Sequence, residues 1–187
     1  MPCTPAAPTP ALISPVDLET PPPQTLTLAE VTLERRGWRV DFADRDARNR
    51  ALGRSGESWA LEVLKKELEV QGRSDLAARV EWVSQTQGDG LGYDIASFDV
   101  EGRSVAVEVK TTNGAKEAPF LVSANEVEFS QVQPAFRLYR VFSFSDGPRM
   151  YVLRGPLRDA TELEPVLFRA RVSSPRKASE CPPAGSR

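Results

Sequence analysis

An α/β arrangement of the α+β kind, a mixed sheet flanked by helices, is the fold class the sequence predicts, and three observations predict it. The run from Asp44 to Gln71 has helical composition and ends in a helical apolar stripe. The segments Val80–Ser84, Tyr93–Phe98, Arg103–Thr111, Phe136–Phe144 and Met150–Leu153 alternate or cluster apolar residues as strands do. A helix start of the capping-box form, Ser123-Ala-Asn-Glu126, falls between the third and fourth of these strands. The order is helix, three strands, helix, two strands, helix, which gives layers on both faces of one sheet. A chain of 187 residues, 40% hydrophobic and 27% charged, is sized for one such core.

Half of the 16 prolines lie between Pro2 and Pro23, among Ala and Thr, with too little apolar surface to offset the entropy of ordering. Residues 1–26 are therefore read as a disordered tail, and 173–187 (SSPRKASECPPAGSR) as a second one, leaving 27–172 as a single domain. Leu26–Arg36 suits a short helix stopped by Gly37, while Trp38, Val40 and Phe42 alternate as a strand would. In Asp44–Gln71, Gly53 and Gly56 are expected to divide the helix before the periodic part that begins at Glu57. Ala60, Leu61, Leu64 and Leu68 form its buried stripe. Glu57 lies three, four and seven positions before members of that stripe, so its carboxylate points along the apolar face. Arg45, Arg48, Arg50 and Arg54 cluster just before it, offset by Asp44 and Asp46; a solvated helix face and a phosphate contact are the two readings.

Gly88–Gly92 (GDGLG) is either a tight connection or a loop that lets substrate approach the following strand, with Asp89 a candidate extra metal ligand. No Gly-Lys-Ser/Thr follows, so it is not a nucleotide-binding P-loop. Ser123–Glu126 is read as a cap, with Asn125 or Glu126 facing a cleft as the alternative. Arg140 shares a strand face with Leu138, Phe142 and Phe144, and should either pair with a carboxylate or reach for phosphate. Asp146-Gly147-Pro148 marks a turn, and Pro156 starts a last helix that Pro165 interrupts.

Composition removes several chemistries. The chain has no histidine, which excludes histidine-based triads, most zinc sites and histidine nucleases. Cys3 and Cys181 sit at opposite ends, so no disulfide framework or thiolate metal site is expected. The net charge is −2, so any binding of a polyanion must be local. With no apolar run near the roughly 20 residues of a membrane span, and no secretion signal at the start, a soluble cytoplasmic protein is expected.

The stretch Gly92–Thr112, GYDIASFDVEGRSVAVEVKTT, carries the chemistry. A three-residue hairpin loop Val100-Glu101-Gly102 places glycine where the backbone wants a positive φ. Asp99 then faces Arg103, and by the same register Asp94 faces Glu108. Directly opposed Cβ atoms are roughly 4.5–5.5 Å apart, and two carboxylates that close repel unless a cation lies between them. Lys110 projects from the same face as Glu108, while Tyr93, Ile95, Val105, Val107 and Val109 form the opposite, apolar face. A two-residue turn would put Asp94 on the wrong face. Oxygen ligands alone suit Mg²⁺ first and Mn²⁺ second. Such an ion polarises a phosphoryl oxygen and lowers the pKa of a bound water, with Lys110 orienting that water or stabilising negative charge.

Asp94, a gap, then Glu108-Val109-Lys110 resembles the signature of the PD-(D/E)XK phosphodiesterase superfamily, and Glu57 resembles the extra carboxylate that many members bring from a preceding helix. More specifically, LGRSGE, GDGLGYDIASFD, VEVKTTNG, PFLVSANEVEFS and LYRVFSF, in order from about Leu52 to Leu153, resemble the domain at the carboxy terminus of the plant protein NO VEIN and in many bacterial proteins. The resemblance implies a restriction-endonuclease-like core, with Asp94, Glu108 and Lys110 as motif residues, Glu57 as accessory acid, and metal on Asp94, Glu108 and Val109. The expected function is Mg²⁺-dependent, endonuclease-like hydrolysis of nucleic acid, DNA first. The alternatives are a non-catalytic module that keeps the fold and binds nucleic acid or a protein, and a structural domain in which Lys110 neutralises the two acids without metal. The sequence allows a homodimer but does not decide the oligomeric state.

Overall fold

The structure, a computed structural model, describes residues 18–23, 42–88 and 90–166, with the side chains of 42–48 left aside. Helix α1 spans Phe42–Val70, 29 residues without a break. The glycines at 53 and 56 do not divide it as expected, and Phe42 belongs to it and not to a strand. Each glycine costs a helix about 1 kcal/mol, less than packing the apolar face returns. Gly56 has a further reason to be there: a Cβ would lie 1.8 Å from Thr111 Oγ1, so only glycine lets the helix come this close to the sheet. The buried stripe is wider than predicted. Trp59 and Val63 join Ala60, Leu64 and Leu68, while Leu61 is only partly buried.

After the short α2 (Ser74–Ala77), the chain forms β1 (Glu81–Trp82), α3 (Val83–Gln87), β2 (Ile95–Phe98), β3 (Ser104–Thr111), α4 (Ala124–Val132), β4 (Phe136–Phe142), β5 (Arg149–Arg154) and α5 (Leu157–Ala160). The sheet has five strands in the order β1-β2-β3-β4-β5. Among the described strands only β3 and β4 run parallel, and α4 makes the crossover that a parallel pair requires. The α+β class is as expected. The strand expected over Val80–Ser84 is shorter than predicted, because Val83 and Ser84 both turn their N–H groups onto the Asp94 carbonyl, at 2.8 and 3.1 Å, and α3 starts there. Likewise β4 stops at Phe142; Ser143 takes a left-handed conformation and Phe144–Asp146 form a 3₁₀ turn. The last helix ends at Ala160, before Pro165 could interrupt it.

The sheet's two faces are covered unequally. On one, α1 packs Trp59, Val63 and Leu64 over Ile95, Val107, Val109 and Val141. On the other, Val127 of α4 and Leu157 of α5 close over Phe136 and Leu138. Within the expected amino-terminal tail, residues 18–20 are packed: Leu18 is buried in the larger cluster, Glu19 bridges to Met150, and Thr20 N–H donates to the Met150 carbonyl at 2.8 Å. The expected helix Leu26–Arg36, Trp38, Val40, Asp89 and the domain limits at 26 and 172 lie outside the described residues, as do the side chains of Arg45 and Arg48.

Candidate active site at the open end of the central hairpin

The turn that joins β2 to β3 sets the register of everything beyond it. Gly102 has φ +85 and its N–H donates to the Asp99 carbonyl, closing the three-residue loop the sequence predicts. Ile95 then pairs with Val107 and Phe98 with Ser104. The next step of that register sets Asp94 against Glu108, and there the strands part. Asp94 N–H still donates to the Val107 carbonyl at 2.9 Å, but the following ladder bond is made by a side chain: Asp94 Oδ2 accepts from Val109 N–H at 2.8 Å. Asp94 is thereby tied through its main chain to α3 and through its carboxylate to β3.

Four of the residues singled out in the sequence, Glu57, Asp94, Glu108 and Lys110, line one cleft of about 450 Å³, with the exposed Arg50 and Arg54 also on its wall. Glu57 is half-buried, and its Oε2 accepts from Trp82 Nε1 at 2.8 Å and from Ser84 Oγ at 2.7 Å. Glu108 is buried, 4% exposed, on the face opposite α1. Lys110 Nζ lies 2.8 Å from Glu108 Oε1 and 2.9 Å from Glu126 Oε2. Tyr93 departs from expectation: it does not join the α1 face but stacks on Phe129 of α4, ring centroids 5.0 Å apart, because the strand pairing that would hold it begins only at Ile95.

The electrostatics of the cleft are those of crowded, poorly hydrated acids. Burial, and next the charge of Glu57, push the Asp94 carboxyl up to about 7. Burial also raises Glu108, against the pull of the Lys110 ammonium. For Lys110, burial works against the charge, but Glu108 and Glu126 outweigh it and hold the ammonium above the usual lysine range. Among the described residues no group of three or more Asp, Glu, His or Cys side chains is gathered to hold a metal ion. Asp94 and Glu108 are two, each with one oxygen already engaged and one without a donor among the described residues. Strand geometry turns the Val109 carbonyl to the same edge of β3 as its N–H, the edge on the β2 side. Two carboxylates and a carbonyl, with water completing the shell, fit Mg²⁺, which keeps several waters and is held through one or two carboxylates.

Several features escaped the sequence reading. Trp82 and Ser84, which hold Glu57, carried no signal beyond lying in a predicted strand. Glu126 is both things weighed for it: the capping box with Ser123 is formed, and the same carboxylate meets Lys110 in the cleft. Asn125 faces the glycine loop, donating from Nδ2 to the Gly90 carbonyl at 2.8 Å. In that loop Gly92 is required by φ +86 and by Phe129, whose Cβ would lie 2.7 Å from an added Cβ; it is helix α4 that comes close there. Arg140 takes neither predicted role. Its Nη1 donates to the Lys110 carbonyl at 3.0 Å and its Nη2 to the Ala118 carbonyl at 3.1 Å, with the Phe120 ring below. It braces the main chain of the lysine.

Residues 56–153, more than half of the chain, match the family model described as Protein NO VEIN, C-terminal. No curated protein and no solved structure matches the chain. Among the described residues no helix is long and apolar enough to cross a membrane.

Proposed function

The chain belongs to the family of the NO VEIN carboxy-terminal domain, and from that premise we propose that its cleft is a metal-dependent phosphodiesterase site of the PD-(D/E)XK kind, on a restriction-endonuclease-like core, hydrolysing nucleic acid with DNA as the first substrate. One observation carries the reading: the hairpin register brings Asp94 to Glu108-Val109-Lys110 at the point where β2 and β3 part, and the Asp94 carboxylate is bonded to the middle residue of that triplet.

Asp94, Glu108 and the Val109 carbonyl would hold Mg²⁺, or Mn²⁺ in its place. When bound, the ion supplies a Lewis acid for a phosphoryl oxygen and lowers the pKa of a water. The chain's own groups do the rest. Lys110 presents a half-buried ammonium that orients the attacking water and stabilises negative charge developing on phosphorus-bound oxygen. Glu57, fixed by Trp82 and Ser84, sets a third negative charge beside Asp94, which favours a cation there. Arg50 and Arg54, one helical turn apart on the cleft wall, are placed to meet neighbouring phosphates.

The competing reading is a module that binds nucleic acid or protein without hydrolysis. It is favoured by Lys110, whose ammonium pairs with both Glu108 and Glu126, and by the want of a three-acid cluster among the described residues. Incubation of the purified protein with linear, circular and single-stranded DNA and with RNA, in Mg²⁺ or Mn²⁺, decides between them. Cleavage lost in Asp94→Ala and in Lys110→Ala is the expected result. No cleavage of any substrate, or cleavage unchanged in Asp94→Ala, refutes the enzymatic reading.

A further inference from the structure

Lys110 poses a problem for cation binding at Glu108. Its ammonium lies 2.8 Å from Glu108 Oε1, so a lysine and a divalent cation compete for one carboxylate. The lysine side chain is only 20% exposed, and stripping such a poorly hydrated ammonium of its partner is costly, which would set that competition in the lysine's favour. The structure supplies a second acceptor. Glu126 Oε2 lies 2.9 Å from the same Nζ, and only 17% of the Glu126 side chain is exposed. That carboxylate is itself immobilised, because Oε2 also accepts from Ser123 N–H at 3.1 Å while Glu126 N–H donates to Ser123 Oγ at 3.2 Å. The capping box is therefore a rigid mount for a lysine acceptor. A second anchor fixes the mount against the cleft: Asn125 Nδ2 reaches the Gly90 carbonyl.

Resting on the metal-dependent reading above, we infer that Glu126 is a positioning residue that retains the Lys110 ammonium and so frees Glu108 for a divalent cation. With Glu126 in place, the lysine keeps a full ionic partner as Glu108 turns to the ion. Without it, Lys110 holds Glu108 and cation affinity falls. This role goes beyond capping α4, and it is separable from it, because glutamine also serves at this position of a capping box.

The test is a double-mutant cycle read by calorimetric titration of the full chain with Mn²⁺ alone, with no nucleic acid present. Glu126→Gln should weaken Mn²⁺ binding roughly 10-fold or more, the range seen when groups that orient metal ligands are removed. In a Lys110→Met background the same Glu126→Gln change should weaken it less than about 2-fold, since no ammonium is left to compete. Ser123→Ala, which removes one cap bond but keeps the Ser123 N–H bond to Oε2 and the Lys110 contact, should weaken Mn²⁺ binding clearly less than Glu126→Gln and serves as the control for loosening the cap.

Equal loss in both backgrounds would mean that Glu126 acts only through its charge, and overturns the inference. So does an unchanged Mn²⁺ affinity in Glu126→Gln, a loss in Ser123→Ala as large as in Glu126→Gln, or no Mn²⁺ binding by the parent. The cycle can succeed while every nucleic acid goes uncut, which would remove the proposed substrate and leave Glu126 its role. Conversely, cleavage that depends on Asp94 with a flat cycle would keep the enzyme and discard this role.

Discussion

Asp94 and Asp99 bracket strand β2, and their surroundings treat a carboxylate in opposite ways. Asp99 sits at the turn. It accepts from Glu101 N–H at 3.1 Å, from Arg103 N–H at 2.9 Å and from Arg103 Nε. Desolvation raises its pKa, but the bonds and charge of Arg103 outweigh that and hold it below 3.8. Asp94, at the open end, has one backbone donor, deeper burial and Glu57 as a neighbour, and is pushed up to about 7. The turn acid is saturated by its own loop. The cleft acid keeps an oxygen without a donor among the described residues, in a site where an added positive charge would relieve both burial and repulsion. One strand is thus flanked by an aspartate saturated within its own turn and by one left short of donors in a cleft, told apart by what surrounds them.

The comparison breaks first on activity. Asp94→Ala or Glu108→Ala should lower cleavage by about 10²–10³-fold or more, the scale of losing one group that stabilises transition-state charge. Asp99→Ala should leave the rate per folded molecule where it was; an equal loss at both ends, in initial-rate assays at matched folded fraction, would erase the distinction.

The cleft end also depends on how near α1 comes. Gly56→Ala drives a Cβ toward Thr111 Oγ1 and should cost about 1–3 kcal/mol in denaturant unfolding, the range for overpacking. Gly53→Ala, whose Cβ would meet only Glu57 Oε1 at 3.9 Å, should instead stabilise by up to about 1 kcal/mol through helix propensity. Equal effects of the two would contradict the close approach at Gly56.

A third test uses pH. Because the folded pKa of Asp94 is raised, the folded state holds a proton that the unfolded chain releases. Its contribution to stability is complete at low pH and is lost as pH rises from 3.8 to about 7. Melting temperatures of the metal-free protein should fall across that window, less so in Asp94→Asn, and Mg²⁺ should reverse the fall by binding the folded state. Asp99 carries the opposite sign. Its pKa is depressed, so its contribution is present above 3.8 and disappears as pH drops through its lower folded value. Asp99→Asn should blunt only that acid limb, and this is the smallest effect expected, since the pair with Arg103 is at the surface.

Much of this site was legible before folding. Val100-Glu101-Gly102 with Asp99 and Arg103 is a local turn, and a turn of known length dictates which residues face one another five steps along the hairpin. Alternation of Val105, Val107 and Val109 against Glu108 and Lys110 settled the two faces. The capping box at Ser123 and Glu126 was equally local. What could not be read were relations among segments distant in the chain. The interrupting effect expected of Gly53 and Gly56 failed because helix propensity is weak beside tertiary packing, and the reason for Gly56 is a threonine 55 residues away.

By itself, then, the sequence determined the hairpin and its register, the helix cap and the exclusion of histidine chemistry, since each follows from bonding within a few residues or from composition alone. Only the tertiary structure decided that Glu57 would be held by Trp82 and Ser84, that Glu126 would reach Lys110, and that Arg140 would donate to main-chain carbonyls. Those choices are set by which buried polar atoms are left needing a partner once the layers close, and that is known only when every layer is in place.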